Sequence, residues 1–277
     1  MSNKSPINRP SHLPDFKFPP LSEVVLGVQF TALQDYQQIR SGEVWHLFKD
    51  KYPEVQEHPP LPPSFETFGQ PFNHSFVPQF GFINGVVNNR FWFLREGGTE
   101  LIQFQNNRLI HNWRKGSDPA KGYPRFEAME SSLRKELQTL EQYANTLKPQ
   151  IIQINQCEVS YINHIKFDRK NGENISDWLD FINFKSSSPS DLNIAFRDVL
   201  KNKQGEPVGR FYVESSLGYL PNEFEVIVLS LSVKGPPLGG TDIDSALNFL
   251  SFGRDEIVKR FAELTTDYAH KKWGRIN

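Results

Sequence analysis

Between residues 53 and 80 a proline recurs every few positions: Pro53, Pro59, Pro60, Pro62, Pro63, Pro71 and Pro78. Each removes a backbone donor and fixes φ, so no ordinary helix or central strand passes through. The stretch reads as a long irregular connection, with Phe65, Phe68, Phe72, Phe76 and Phe80 interspersed. The run Pro59-Pro60-Leu61-Pro62 fits a polyproline II ligand for an SH3-like partner. The expectation we favour is an extended spacer whose phenylalanines pack on the chain's own sheet.

Around this connection the core must be built from large rings, since 23 Phe, 5 Trp and 8 Tyr stand against 2 Met. Rings and β-branched residues suit a pleated, half-buried surface, so β-rich packing is expected rather than an aromatic ligand cage. The 277 residues fit one large domain or two modest ones. Lys plus Arg total 31 against 32 Asp plus Glu, which excludes the global positive field of a DNA-coating protein. The lone Cys157 forms no internal disulfide and fits a reducing compartment. Residues 1–20 lack an apolar leader segment and no run is long enough to span a bilayer, so a cytoplasmic protein is expected.

The elements follow from periodicity. Residues 1–20, rich in proline, read as a flexible or draped arm. Val24, Val25, Leu26, Val28 and Phe30 mark a mostly buried strand, and a helix capped by Ser41 follows, stopped by Pro53. A three-strand meander is expected over residues 90–115, turned by Gly97-Gly98 and by Asn106-Asn107 in the left-handed conformation. Pro124 opens a long helix whose stripe runs Phe126, Met129, Leu133, Leu137, Leu140, Ala144 and Leu147. The stripe fits a coiled-coil seam of a homodimer or, preferably, a helix lying across a sheet. Residues 150–167 are too long for one straight strand, which predicts a bend or bulge near Asn155-Gln156. Beyond it lie a short helix capped by Asn174 or Ser176, three strands, and a helix opened by a Thr241–Asp244 box and interrupted near Gly253.

Both parts run strand, short helix, antiparallel strands, long helix. This predicts an α+β protein of two pseudo-repeated β-α-β(n)-α halves, 21–149 and 150–277.

Catalytic chemistry is sparse. The seven histidines include no pair at metal-ligand spacing, and no P-loop, GxGxxG or GxSxG motif occurs. No metal, cofactor or catalytic residue is therefore assigned. Polar groups do concentrate in the strand around Tyr161, Asn163 and His164, which either face a groove and bind a partner or satisfy a bent backbone. The basic last turn suits a helix C-terminus, and Trp273 with Arg275 fits either docking onto the sheet or a partner contact.

Three blocks together carry a resemblance: the PPLSEVVLGVQF run from Pro19 to Phe30, the Tyr161-Ile162-Asn163-His164-Ile165 block, and the Phe261 to Arg275 segment ending in Trp-Gly-Arg. They resemble a sporadically distributed uncharacterised prokaryotic protein family. The resemblance implies a full-length member without an extra catalytic domain, and patchy occurrence that hints at mobile or host-conflict genes. Where other members often carry Arg, this chain has Ser160.

The expected function is a non-enzymatic protein-binding or regulatory module with a protein partner, associated with a prokaryotic defence or toxin-antitoxin effector. The candidate partner-binding residues are Tyr161, Asn163, His164, Trp273 and Arg275. Two alternatives stand beside it: a nucleic-acid binder using a saddle-like duplicated sheet, and an enzyme in which Tyr161, His164, Glu158 or His270 converge only in space.

Overall fold

A computed structural model describes residues 10–69, 89–116, 122–184, 189–220 and 224–277. Among these residues nine strands form one antiparallel sheet: β1 (Leu21–Phe30), β2 (Glu54–His58), β3 (Arg90–Leu94), β4 (Glu100–Gln105), β5 (Arg108–Arg114), β6 (Ile154–Lys166), β7 (Asn193–Lys201), β8 (Pro207–Tyr219) and β9 (Glu225–Gly235). Their spatial order is β2-β3-β4-β5-β1-β6-β9-β8-β7. Four α-helices accompany them among the described residues: α1 (Ser41–Phe48), α2 (Phe126–Leu147), α3 (Ile243–Leu264) and α4 (Asp267–Trp273). The α+β class expected from the sequence is thus present, with both parts of the chain sharing a single sheet and core cluster.

Side chains alternate across a strand, and β1 shows what that sorts. Val24, Leu26, Val28 and Phe30 are buried toward the helices, while Glu23, Val25, Gly27 and Gln29 face the other way. Helix α2 spends its stripe of Phe126, Met129, Leu133, Leu137, Leu140 and Ala144 within this chain, against β1, β5 and α3, so the stripe is no free dimer seam. Helix α3 covers β6 and β9.

Local chemistry corrects several expectations. The connection after Pro53 is not irregular throughout, because residues 54–58 pair with β3 as the edge strand β2, with a proline just outside each end. Phe65 is 56% exposed and so does not pack on the sheet. Phe72, Phe76 and Phe80 lie outside the described residues. Ser41 is not the cap of α1: a 3₁₀ turn (Gln38–Arg40) runs into the helix and Arg40 occupies the cap position without a side-chain bond. Asp242, not Thr241, caps α3, its carboxylate accepting the Ser245 N–H at 2.7 Å. The Asn106-Asn107 turn closes without a positive φ.

Gly253 does not interrupt α3. A Cβ there would stand 2.5 Å from Val159 Cγ1 and 3.1 Å from Val233 Cβ, so the glycine lets the helix lie close against β6 and β9. The chain breaks later, at Thr265-Thr266, where the Thr266 hydroxyl accepts the Ala269 N–H and starts α4. The irregularity expected in β6 is a β-bulge at the place foreseen: Gln29 pairs with Gln156 and Phe30 with Ile154, which leaves Asn155 as the extra residue. From Pro10 onward the arm is draped. Phe16 bridges Arg275, Lys17 N–H donates to the Gly274 carbonyl, and Ile276 N–H to that of Asp15.

Candidate functional site

The sheet face opposite α2 and α3 is polar where it should be exposed, and among the described residues no helix covers it. Residues 59–69, which leave β2, cross it instead. Beneath them runs a row of side chains at one level of the sheet: Gln105 on β4, Arg108 on β5, Gln29 on β1 and Gln156 on β6. Each is the direct register partner of the next.

This row holds main chain. Leu61 N–H donates to Gln105 Oε1 at 2.9 Å, and Gln105 Nε2 returns a bond to the Leu61 carbonyl at 3.1 Å. Arg108 Nη2 donates to the Pro62 carbonyl at 2.9 Å. Ser64 N–H then donates to Gln29 Oε1 at 3.1 Å, and Glu66 N–H to Gln156 Oε1 at 3.3 Å. The spacing is physical. Neighbouring strands lie about 4.8 Å apart and a polyproline II chain rises about 3.1 Å per residue, so the three steps from Leu61 to Ser64 cover the two strand spacings from β4 to β1. Pro62 and Pro63, which have no N–H to offer, fall between the two positions whose N–H groups are bonded, Leu61 and Ser64.

The crossing segment ends on a buried charge. Glu66 accepts from Arg210 Nε at 2.8 Å and from the Tyr212 hydroxyl, and Arg210 Nη2 also reaches the Thr67 carbonyl at 2.9 Å. Both members of that ion pair are almost wholly covered. Phe68 lies under the Arg210 guanidinium, 5.6 Å from its carbon. On the other side of the row, the bulge residue Asn155 accepts from Gln29 Nε2 at 3.1 Å, which turns the Gln29 oxygen toward Ser64.

Beside the segment opens a cavity of about 440 Å³ floored by Gly27 and Ile110. Its walls are networked: Arg90 Nη1 donates to Gln103, Gln103 Nε2 to Asn112, and Asn112 Nδ2 to Glu23, while Lys234 pairs with Glu158 at 3.1 Å. Burial and the neighbouring Arg90 pull Arg108 below the usual guanidinium range, against the attraction of Glu158. Two donors aimed into this region have no partner, Gln156 Nε2 and Arg90 Nε, although Gln156 is only 6% exposed. A second polar cavity, about 310 Å³, lies beyond Ser64 and is lined by Arg197, Tyr212, Glu214 and Ser230. Hydrogen-bond donors and acceptors line both cavities and dominate the second, an inventory suited to recognition.

The residues singled out from sequence divide between the two faces of the sheet. Tyr161 is 9% exposed on the helix side, its hydroxyl 2.9 Å from that of Tyr123, and Asn163 is buried beside it, donating to the Leu229 carbonyl at 3.2 Å. Both border a small cavity of about 70 Å³ closed by Phe16 and Phe261. His164 points to the opposite face, with Nδ1 3.1 Å from Ser22 Oγ; burial lowers its titration. Trp273 is 6% exposed, stacked on Phe261 with ring centroids 5.3 Å apart. Arg275 is exposed, and its Nη1 meets His270 Nδ1 at 3.2 Å while His270 Nε2 meets Thr265 Oγ1 at 2.9 Å. Thr265 donates onward to the Phe261 carbonyl, so the imidazole is held neutral with its proton on Nε2. His164 and Trp273 border one cleft of about 450 Å³ near the arm. Tyr161 and His164 lie on opposite faces, Glu158 pairs with Lys234, and His270 is engaged by Thr265 and Arg275.

A second buried cluster sits on the helix side. Glu136 of α2 lies 2.9 Å from His111 Nδ1 on β5 and accepts from the Tyr52 hydroxyl at 2.7 Å, with Lys51 Nζ at 3.5 Å. Burial alone would raise the Glu136 carboxyl; His111, Lys51 and Tyr52 together carry it below its ordinary value. Cys157 is buried and burial raises its thiol, so it is inert as a nucleophile. Among the described residues no three His, Cys, Asp or Glu side chains gather as a metal site, and no helix is long and apolar enough to cross a membrane.

The residues that sequence reasoning missed are Gln29, Gln105, Arg108, Gln156 and Arg210. Their signal was a polar side chain at alternate positions of otherwise apolar strands, as in Leu26-Gly27-Val28-Gln29-Phe30. No protein-family model matches this chain and no curated protein matches it in sequence.

Proposed function

We propose that this chain is a non-enzymatic protein-binding module whose partner surface is the open face of the sheet. The observation that carries the reading is the cross-strand row of Gln105, Arg108, Gln29 and Gln156, whose hydrogen bonds go to polypeptide main chain. The nucleic-acid reading has less support, because cations on this face alternate with carboxylates: Lys234 with Glu158, Arg114 with Glu23, Arg210 with Glu66. The association with a defence or toxin-antitoxin effector rests on the family resemblance alone.

We also infer an internal duplication. Outward from the central β1–β6 pair the sheet reads β5-β4-β3 on one side and β9-β8-β7 on the other, and each set is followed in sequence by a 22-residue helix. That mirrored order supports two copies of one unit, with β2 and α4 as additions.

A photo-cross-linking residue at Ser230, on the open face, and one at Gln142, exposed on α2, test the binding surface in cells of the native host. A discrete protein adduct from Ser230 and none from Gln142 is expected. Equal labelling from both sites, no adduct, or an adduct removed by nuclease rejects the reading.

A further inference from the structure

Resting on the protein-binding reading, we propose that the glutamine row is a reader of extended, proline-containing main chain, and that residues 61–67 occupy it as an internal ligand which a partner's segment of the same chemistry displaces.

The contacts define what that segment must be. Leu61, Pro62, Ser64 and Thr67 are held through main-chain groups, so their side chains are free to vary, and the Phe65 side chain projects into solvent. Prolines are accepted at the two positions after Leu61, where no N–H is used. The one side chain read is Glu66, five residues after Leu61, through Arg210 and Tyr212. The ligand class is therefore an extended acidic peptide of the form x-Pro-Pro-x-x-Glu.

The site is also incompletely satisfied by its present occupant. Gln156 Nε2, more than nine-tenths buried, donates to nothing, although the same carboxamide's oxygen binds Glu66 N–H. Gln105, by contrast, both accepts from and donates to Leu61. A ligand supplying a carbonyl at the Gln156 position completes the second two-way pair. The internal segment thus engages the row without exhausting it, which is the condition for exchange.

The test uses the full chain carrying Glu66→Ala, which loosens the internal segment and leaves the row and Arg210 in place. A fluorescent ten-residue peptide with the sequence of residues 59–68 is titrated by anisotropy against this variant and against the wild type. Saturable binding at least about tenfold tighter to the variant is expected, since the wild-type site is already filled at high effective concentration. The peptide's own glutamate then restores the partner of Arg210, so a peptide with Ala at that position binds about tenfold more weakly or not at all. Adding Gln29→Ala to the variant removes binding.

No saturable binding to a variant whose circular dichroism matches the wild type overturns the proposal. So does a peptide-independent dimer in light scattering, which would make a second copy the occupant. If Glu66→Ala does not fold, the wild type is labelled through Phe65→Cys, Cys157 being buried. Peptide excess must then give a saturable dye response that a scrambled peptide does not, and its absence overturns the proposal as well. Neither failure touches cross-linking from Ser230, which judges the broader binding reading separately.

Discussion

Glu136 and His111 face each other at 2.9 Å inside the protein, both almost fully buried, joining the long helix α2 to strand β5. Because Tyr52 and Lys51 converge on the same carboxylate, the pair also fixes the chain leaving α1. Removing one member strands the other. Glu136→Ala is expected to cost about 3–5 kcal/mol in urea denaturation. The pH dependence has a definite sign. A carboxyl lowered in the folded state contributes its full stability above its unfolded value of about 4.5 and loses it as pH falls through the folded value. The wild-type urea midpoint should fall more steeply than that of Glu136→Ala between pH 5 and the acid limit of folding, roughly pH 3.

Gly253 sits where two opposing effects can be weighed. Alanine is the better helix former by about 1 kcal/mol. Its Cβ, however, would enter the packed contact with Val159 and Val233. Overpacking of this kind costs about 1–3 kcal/mol, so Gly253→Ala is expected to destabilise; a raised melting temperature would refute the packing argument.

His270 is held neutral, lowered by burial first and by Arg275 second. Arg275→Ala removes the positive neighbour and is expected to move the His270 titration upward, read from its Cε1 proton shift by NMR. A buried neutral imidazole weakens the folded state as pH falls below the ordinary histidine value, because the unfolded chain takes up the proton first. That acid-side penalty should shrink in the variant, although the bonds of Arg275 to the terminus are lost with it.

Gln29→Ala should loosen the crossing segment without disturbing the core. Gln29 Oε1 receives both Ser64 N–H and Arg108 Nη2 and its Nε2 donates to Asn155, so one truncation removes three bonds, one of them to the crossing segment. At about 1 kcal/mol for a net hydrogen bond, amide exchange at Ser64 is expected to accelerate about fivefold or more, with exchange in β6 unchanged. Equal acceleration throughout β6 would show instead that Gln29 supports the sheet.

The core was legible because its pattern is repetitive. The stripe from Phe126 to Ala144 and the alternation in β1 name their buried faces directly. The bend in β6 followed from length alone. What the sequence did not disclose is how polar residues on distant strands meet. Gln29, Gln105 and Gln156 come from three separate strands, and only antiparallel register, set by turns and one bulge, aligns them. Tyr161 and Asn163 drew attention because they sit in a polar cluster, yet they serve the backbone and a tyrosine neighbour inside the protein. Trp273 looked like an interface anchor for its chemistry, and the draped arm with Phe16 covers it.

Ile154 and Gln156 have the same parity along β6, and in an unbroken strand they would share a side. Here one fills the interior and the other supports Glu66 from the far side, because Asn155 is counted once too often between them. Deleting that single residue would make the two consecutive, which a regular strand already sends to opposite sides; the ladder would straighten, and what would vanish is the acceptor that turns the Gln29 carboxamide.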